Sequence, residues 1–550
     1  MSAPTLARGT ATLAGPPDRR SPFTGTAALV RLAARRDRVL VPVWWGVFAF
    51  LAYGSAAATV GLYPDEASRR LIAETVNGNL SLIALYGPVA DPTSIGQIAM
   101  FKLTTFGAAL VGLLAIVLVV RHTRAEEEAG RTELVGAGAT GRWAPLAAAL
   151  LTVGGTAVVL ALVTAAGLVG AGLDASGSLS FGLAWAVTGL AFAGVAAITA
   201  QLAPTARAAT GLASGVLGAA YVLRAVADTS PGGDLVWLRW LSPVGWAQEV
   251  HAFSQPRWAV GLLGLTLAGG LAIVAFGLLE RRDLGAGMLP ERTGTAGAGR
   301  DLTGAFGLAL RLHRPTFLGW TVGVVLLGSM LGTLVSNIDG FLSGPMAEAF
   351  LALGGEKGLV EAFLATEWAL IGVFISAYAV QAVLRLRGEE LHRRADLLLV
   401  TPLSRLRWAA SHVVVALGGA VALLVLGGLA AGASTAGALG DPVWFGAVLG
   451  AAVVQVPAVA VLAGLTMLAI GLLPRFASAL AWGVLVAFLL IGEVGPLLEW
   501  PAWLLDLSPF AHTPQLPGSD VSVGALVGLA AVAAVLMAAG LAAFRRRDLE

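Results

Sequence analysis

Arg124-Ala125-Glu126-Glu127, followed by Arg131-Thr132-Glu133-Leu134, is written again as Arg387-Gly388-Glu389-Glu390, followed by Arg394-Ala395-Asp396-Leu397. The same landmarks surround both copies in the same order. An Arg-Trp pair follows each (Arg142-Trp143 and Arg407-Trp408), then Leu241-Ser242-Pro243 and Leu507-Ser508-Pro509. Last come Arg281-Arg282-Asp283-Leu284 and Arg546-Arg547-Asp548-Leu549, each just after a long apolar run. Matches that keep their order at an offset of about 265 residues mark a duplicated domain, not a short solenoid repeat. A charged loop, an apolar bundle and a basic exit, made twice, describe a pseudo-symmetric membrane protein.

Composition agrees. Hydrophobic residues make up 57% of the 550 residues and charged residues only 12%, about half the share in a soluble protein. Mean hydropathy is +0.81, and a soluble core would split into domains well before this length. There is no cysteine, which excludes disulfides and thiolate metal sites. The six histidines include no HxxxH pair and give no metal-ligand spacing. An isoelectric point near 9.2 would admit a nucleic-acid partner, but the arginines are distributed as a membrane requires.

Runs long enough to span, at roughly 20 residues each, fall at 39–60, 101–120, 146–172, 181–203, 205–228 and 258–279. The second half gives 316–336, 366–385, 409–432, 443–473, 476–497 and 521–544. The expected fold is therefore all-α and polytopic, twelve transmembrane helices in two six-helix halves. Pro204 and Pro474 each split a continuous apolar stretch into two helices joined by a tight turn. With the N-terminus inside, 28 of the 35 Lys and Arg fall on cytoplasmic segments. The positive-inside rule then puts both termini in the cytoplasm and the chain in the plasma membrane.

The opening 38 residues hold no apolar core of a cleavable signal peptide. Residues 1–22 read as a disordered cytoplasmic tail, 23–284 as the first half, 285–301 as a Gly-rich linker that only joins, and 302–550 as the second half. Each half opens on an amphipathic segment suited to the headgroup plane. These are Thr24-Gly25 leading to Leu29, Arg31, Leu32 and Arg35, and Thr303-Gly304 leading to Phe306, Leu308, Arg311 and Arg314.

The loop after the second helix of each half carries the mechanism. Glu126 and Glu127 are followed by Arg131, and Glu389 and Glu390 by Arg394, a spacing that supports a short helix. The bland reading is a solvated helix laced with its own ion pairs. Its duplication points instead to two docking sites for a partner that is itself two-fold.

The chain resembles the permease of a bacterial ATP-binding-cassette exporter. The features that carry the resemblance are six helices per half, an amphipathic leading helix, the acidic-basic loop and the Leu-Ser-Pro segment before the sixth helix. More narrowly, residues 24–550 resemble the fused, double-length permeases of actinobacterial polyketide-antibiotic (tetronasin-type) and multidrug exporters. The resemblance implies that Glu126, Glu127, Arg131, Glu133, Glu389, Glu390, Arg394 and Asp396 seat a separate cassette ATPase, a homodimer. That partner would bind ATP and Mg and drive export of a bulky hydrophobic compound, an antibiotic or drug. It also implies that 229–257 and 498–520 form partly re-entrant caps. Pro243-Val-Gly-Trp246 against Pro509-Phe-Ala-His512 shows that the caps differ.

The chain has no ATP site of its own kind. A P-loop needs a lysine after glycine, and Lys102 follows Phe101 while Lys357 follows Glu356. The alternative is a proton-coupled twelve-helix drug antiporter, which needs carboxylates deep in the membrane, where this chain has almost none. An enzyme would want clustered polar residues on an external loop, and only scattered carboxylates occur. Trp44, Trp45 and Tyr53 on the first helix read as interfacial anchors before pathway residues. Arg224, 20 residues after Pro204, and Glu493, 19 after Pro474, stand at matching outer depths with opposite charge and are candidates for an outer gate. The alternative is that each snorkels to the headgroups.

Overall fold

A backbone polar group left unpaired in hydrocarbon is costly, so each apolar run must close its hydrogen bonds on itself as a helix. The computed structural model describes residues 21–136, 138, 140–290, 297, 299, 302, 304–335, 358–493 and 500–548. Among them are helices and short 3-10 turns and no strand. The chain divides into two compact units, Met1–Thr293 and Gly294–Glu550.

The first unit opens with α1 (Thr26–Arg36), set off from α2 (Leu40–Leu62) by a corner at Asp37. Two short helices follow, α3 (Glu66–Asn77) and α4 (Leu80–Tyr86). Side chains start both: Asp65 Oδ1 accepts from Ser68 N at 2.8 Å, and Asn79 Oδ1 from Leu82 N at 3.1 Å. Next come α5 (Ile95–His122), α6 (Arg124–Glu128), α7 (Arg131–Gly136) and α8 (Ala144–Gly170). The unit closes with α9 (Ala175–Leu202), α10 (Ala206–Thr229), α11 (Pro243–Glu249) and α12 (Ala259–Arg281).

Helix α9 is the centre, with α5, α8, α10, α11 and α12 packed on it. In a membrane, tight van der Waals fit drives helices together, and small residues permit it. A Cβ on Gly182 would lie 2.5 Å from the Ala161 carbonyl oxygen, and one on Gly264 would lie 1.8 Å from Val187. Trp185 fills the remaining depth: its ring sits 5.5 Å from that of Phe48, and its Nε1 donates to the Leu103 carbonyl at 3.1 Å.

The second unit runs α13 (Ala305–Leu334), α14 (Leu359–Leu391), α15 (Arg394–Leu399), α16 (Arg405–Leu439) and α17 (Val443–Val453). It ends with α18 (Val456–Leu472), α19 (Ala477–Glu493), α20 (Ala502–Leu505) and α21 (Val523–Arg546). Here α16 packs on α13 and α18 on α21.

Among the described residues, 11 helical stretches are long and apolar enough to cross a membrane, with α17 and α18 together forming one over Val443–Leu472, and each lies on one of the expected runs. The remaining run is α19, at 17 residues somewhat short; residues 494–499 after it lie outside the described residues. The breaks fall where the prolines put them, with Thr205 capping α10 through Ala208 N at 3.2 Å.

The structure corrects two readings. The second leading segment is not separate: α13 runs from Ala305 through Pro315 without a break. In the first half Asp37 leaves the helix line, bound by an ion pair with Arg121 and a hydrogen bond with His122. In the second, His313 stays on the helix and packs on His412, nitrogens 3.1 Å apart. The first residues of the linker also do more than join. Met288 N and Leu289 N donate to the carbonyls of Gln201 and Leu202 at 3.2 and 2.8 Å, closing over the Pro204 break. Residues 1–20 of the expected tail, and most of 291–301, lie outside the described residues.

Packing of α18 on α21 makes a direct prediction. A Cβ on Gly540 would lie 2.6 Å from Leu468 N. Gly540→Ile is expected to cost about 1–3 kcal/mol, read as a lower melting temperature in detergent. Gly528→Ile, where nothing stands within 4 Å, should leave the melting temperature unchanged.

Candidate functional site: the two charged loops

At Thr123 the chain leaves helical geometry and Arg124 turns inward, its side chain 1% exposed. Its guanidinium donates to the Pro204 carbonyl at 2.6 and 3.1 Å, to Gly285 and Ala286 carbonyls at 2.9 and 3.1 Å, and to Glu127 Oε2 at 2.6 Å. Glu127 Oε1 takes a second guanidinium, that of Arg282, which also donates to Gln201 Oε1 at 2.7 Å. Glu127 is thus a carboxylate enclosed by two arginines, one from its own turn and one from the end of the half's last helix. Glu128 Oε1 accepts from Ala206 N at 3.0 Å, placing negative charge on the N-terminus of α10.

The second half builds the same thing. Arg387 NH1 donates to Glu390 Oε2 at 3.3 Å, and Arg547 NH2 to both Glu390 oxygens at 2.7 and 2.6 Å. The Glu390 side chain is 1% exposed. Arg547 lies over the Phe544 ring at 4.8 Å, which holds the guanidinium in place. A third arginine closes each last helix. Arg142 donates to the Leu279 and Arg282 carbonyls at 2.9 and 2.8 Å, and Arg405 to the Arg547 carbonyl at 3.1 Å.

The other carboxylate of each pair faces the loop. Glu126 is held by Arg131 at 2.7 and 2.9 Å and by Arg36 from α1. The hydrogen bonds to Glu126, and then its charge, raise Arg131 above the ordinary guanidinium value. Glu389 accepts from Arg394 at 2.8 Å and pairs with Arg385 at 3.7 Å. Between helix and loop both halves turn through a left-handed residue, Gly130 (φ 68°) in one and Arg393 (φ 54°) in the other. Only the first of these is a residue suited to that geometry.

Of the eight residues expected to seat a partner, Glu127 and Glu390 are not on the surface: the arginines enclose them. Glu126 and Glu389 are internally paired too, with Arg131 and Arg394 as their lids. What each loop presents is its next helix. Glu133 and Asp396 are exposed, beside Leu134 at 78%, Leu397 at 74% and Val400 at 84% exposure. The reading by charge missed the apolar tips and the inward arginines Arg124, Arg282, Arg387 and Arg547. The signal was there, since all four arginines stand in duplicated motifs and two duplicated motifs of opposite charge are candidates to pair.

At the other end of the first half, Arg224 is fully buried and its partners are local. It pairs with Asp228 at 3.2 Å and donates to the Ile83, Ala84 and Leu85 carbonyls at 3.2, 2.7 and 3.1 Å, closing α4. Asp228 also binds Arg239 at 2.6 Å, and Arg239 binds Glu249 at 2.9 Å. Arg224 does not snorkel, and its counter-ion is four residues on. The side chain of Glu493 lies outside the described residues. The caps differ as the sequence implied: Pro243 starts α11, while Pro509–His512 is one 3-10 turn. Trp45 Nε1 donates to the Thr156 carbonyl at 3.1 Å, whereas Trp44 and Tyr53 are largely exposed. Among the described residues, no three His, Asp or Glu side chains gather as metal ligands.

Residues 302–545 match the family model described as the C-terminal domain of the multidrug efflux system permease Rv1217c. Over 536 residues the chain is 40% identical to the multidrug efflux system permease protein Rv1217c of Mycobacterium tuberculosis (strain ATCC 25618 / H37Rv), covering 97% of this chain and 96% of that one.

Two predictions follow from the loop geometry. Glu127→Gln leaves the buried guanidiniums of Arg124 and Arg282 without the carboxylate between them and is expected to cost about 3–5 kcal/mol, seen as lost melting temperature and yield. Glu133→Gln should stay within about 0.5 kcal/mol of the parent. Arg393→Gly relieves the left-handed backbone and is expected to stabilise by about 1 kcal/mol, with the same measurement.

Proposed function

We propose, because this chain belongs to the family of multidrug efflux system permeases, that it is the membrane-spanning subunit of an ATP-binding-cassette exporter. It carries hydrophobic drugs or antibiotics of polyketide type out of the cell, and a separate homodimeric ATPase supplies the energy from ATP and Mg. The observation that carries this reading is the loop built twice. Each half holds a short helix by buried Arg–Glu–Arg contacts and offers an exposed apolar tip beside an acidic residue. A soluble protein that seats on Leu134 and on Leu397 with Val400 buries apolar area that water otherwise faces. The density of Lys and Arg on both loops and both termini supports a cytoplasmic position for them, where an ATPase can reach them.

The contacts described above give the loop leverage. A push on α7 passes through Gly130 to α6, and from there along three routes. Glu127 carries it to Arg282 at the end of α12, Glu128 to the start of α10, and Glu126 to Arg36 on α1. In the second half Glu390 carries a push on α15 to Arg547 at the end of α21. Motion at the loop thereby reaches spans that a loop tied only to its neighbours would not move. The two carboxylates with deepest burial at the opposite end, Asp228 and Glu249, are each engaged by two arginines. Carboxylates committed to two ion pairs each at one end of the bundle are not the free, deep relay carboxylates that a proton-coupled antiporter needs, which favours ATP as the energy source.

The test is a pair of substitutions at the tips. Leu134→Asp with Leu397→Asp, in the chain co-expressed with its ATPase, is expected to weaken co-purification by roughly 30-fold or more, as loss of an interface hot spot does. Drug-stimulated ATP hydrolysis should fall with it while the melting temperature of the permease holds. Unchanged ATPase capture, or drug export that persists without any ATPase and collapses with the proton gradient, would overturn the reading.

A further inference from the structure

A cavity of about 390 Å³ opens between α1, the start of α8 and the charged loop of the first half. Its size lies at the low end of the range for small-molecule sites. Leu29 and Leu32 of α1 form one wall, and Ala148 and Ala149 of α8 the other. The mouth is charged, formed by Arg36, Arg131 and Glu126. Both guanidiniums converge on the one carboxylate, and each remains substantially exposed, Arg36 at 36% and Arg131 at 50%. His122 also borders the cavity, turned to Asp37, which binds Arg121 as well. Arg36 and Arg131 against Glu126 give the mouth one positive charge more than negative.

The cavity is held open by the backbone. Gly141 N and Trp143 N donate to the Thr24 and Pro22 carbonyls at 2.8 and 3.0 Å, fixing where α1 begins against α8. The left-handed Gly25 (φ 87°) lets the chain turn there, under Thr140. From the cavity α1 runs with Arg31, Arg35 and exposed Leu32, an amphipathic helix beside the ends of α5 and α8. The second half lacks the arrangement: its leading helix is continuous with the span, and Arg385 of α14 takes the place against Glu389 that Arg36 takes against Glu126.

We propose that this cavity binds one anionic phospholipid. Its phosphodiester sits on Arg36 and Arg131, and the first part of one acyl chain lies between Leu29 and Leu32 on one side and Ala148 and Ala149 on the other. A single surplus positive charge at the mouth suits a monoanionic headgroup, and the apolar slot excludes a ligand that is only an anion. A lipid there would fasten α1 to the charged loop through the same arginines that bind Glu126. The inference stands on the cavity and does not need the transport reading.

Native mass spectrometry of the full-length chain in detergent, titrated with phosphatidylglycerol or phosphatidylcholine, tests it. Phosphatidylglycerol is expected to fill one saturable site, with phosphatidylcholine much weaker. Arg36→Gln and Arg131→Gln should each weaken binding about fivefold, the effect of one arginine at an anionic surface. Arg207→Gln, an exposed arginine away from the cavity, should change nothing. Ala149→Phe should abolish binding by filling the slot; Thr132→Trp at the mouth serves if that variant melts early. The proposal is overturned if phosphatidylcholine binds as well, if Arg207→Gln costs as much as Arg36→Gln, or if inorganic phosphate competes. It is overturned equally if a cationic amphiphile fills the slot in preference to the anionic lipid.

Discussion

Burying a carboxylate between two guanidiniums is expensive unless every charge finds its partner, because desolvation of the ions opposes their attraction. Both halves of this chain accept that cost at the same place. Glu127 lies between Arg124 and Arg282, and Glu390 between Arg387 and Arg547. The distant partners are 155 and 157 residues apart in the chain, so each bridge joins the charged loop to the end of its half's last helix. Around it stand the Pro204 turn, the ordered residues 285–289 and the arginine that caps the last helix. Losing the central carboxylate would leave these groups with a buried cation in their midst.

The halves share that bridge and differ around it. Asp37 makes a corner between α1 and α2, while His313 rides on an unbroken α13 against His412. Gly130 takes a left-handed turn at no cost that Arg393 takes under strain. Arg224, Asp228, Arg239 and Glu249 lock the far end of the first half in a chain of ion pairs. At the matching place the described residues of the second half hold the short α20 and a 3-10 turn, with His512 on the Asp506 carbonyl at 2.8 Å. The two halves thus keep the bridge and differ in what surrounds it.

Much of the architecture was legible in one dimension. Apolar runs of spanning length determine helices, since hydrocarbon offers their backbone no other partner. Prolines 204 and 474 determine where two helices part, and the duplicated motifs determine that two halves exist. The charged loops were found by the same duplication, and the ion pairs Glu126–Arg131 and Glu389–Arg394 are the local contacts their spacing implies.

What sequence left undecided is which carboxylate of each pair turns inward and what remains outside. Adjacent glutamates look alike in a string. Only the folded half brings Arg282 to Glu127 and Arg547 to Glu390, and those contacts send one carboxylate into the protein and leave Leu134, Leu397 and Val400 exposed beyond it. Arg224 shows the same limit, because depth along a helix gave its position but not the Asp228 carboxylate and α4 carbonyls that neutralise it. Sequence by itself determined the elements, because backbone satisfaction and hydrophobic length are local demands. Tertiary structure decided the partners, because a buried charge is stabilised by whichever opposite charge the packing delivers, however far away it lies in the chain.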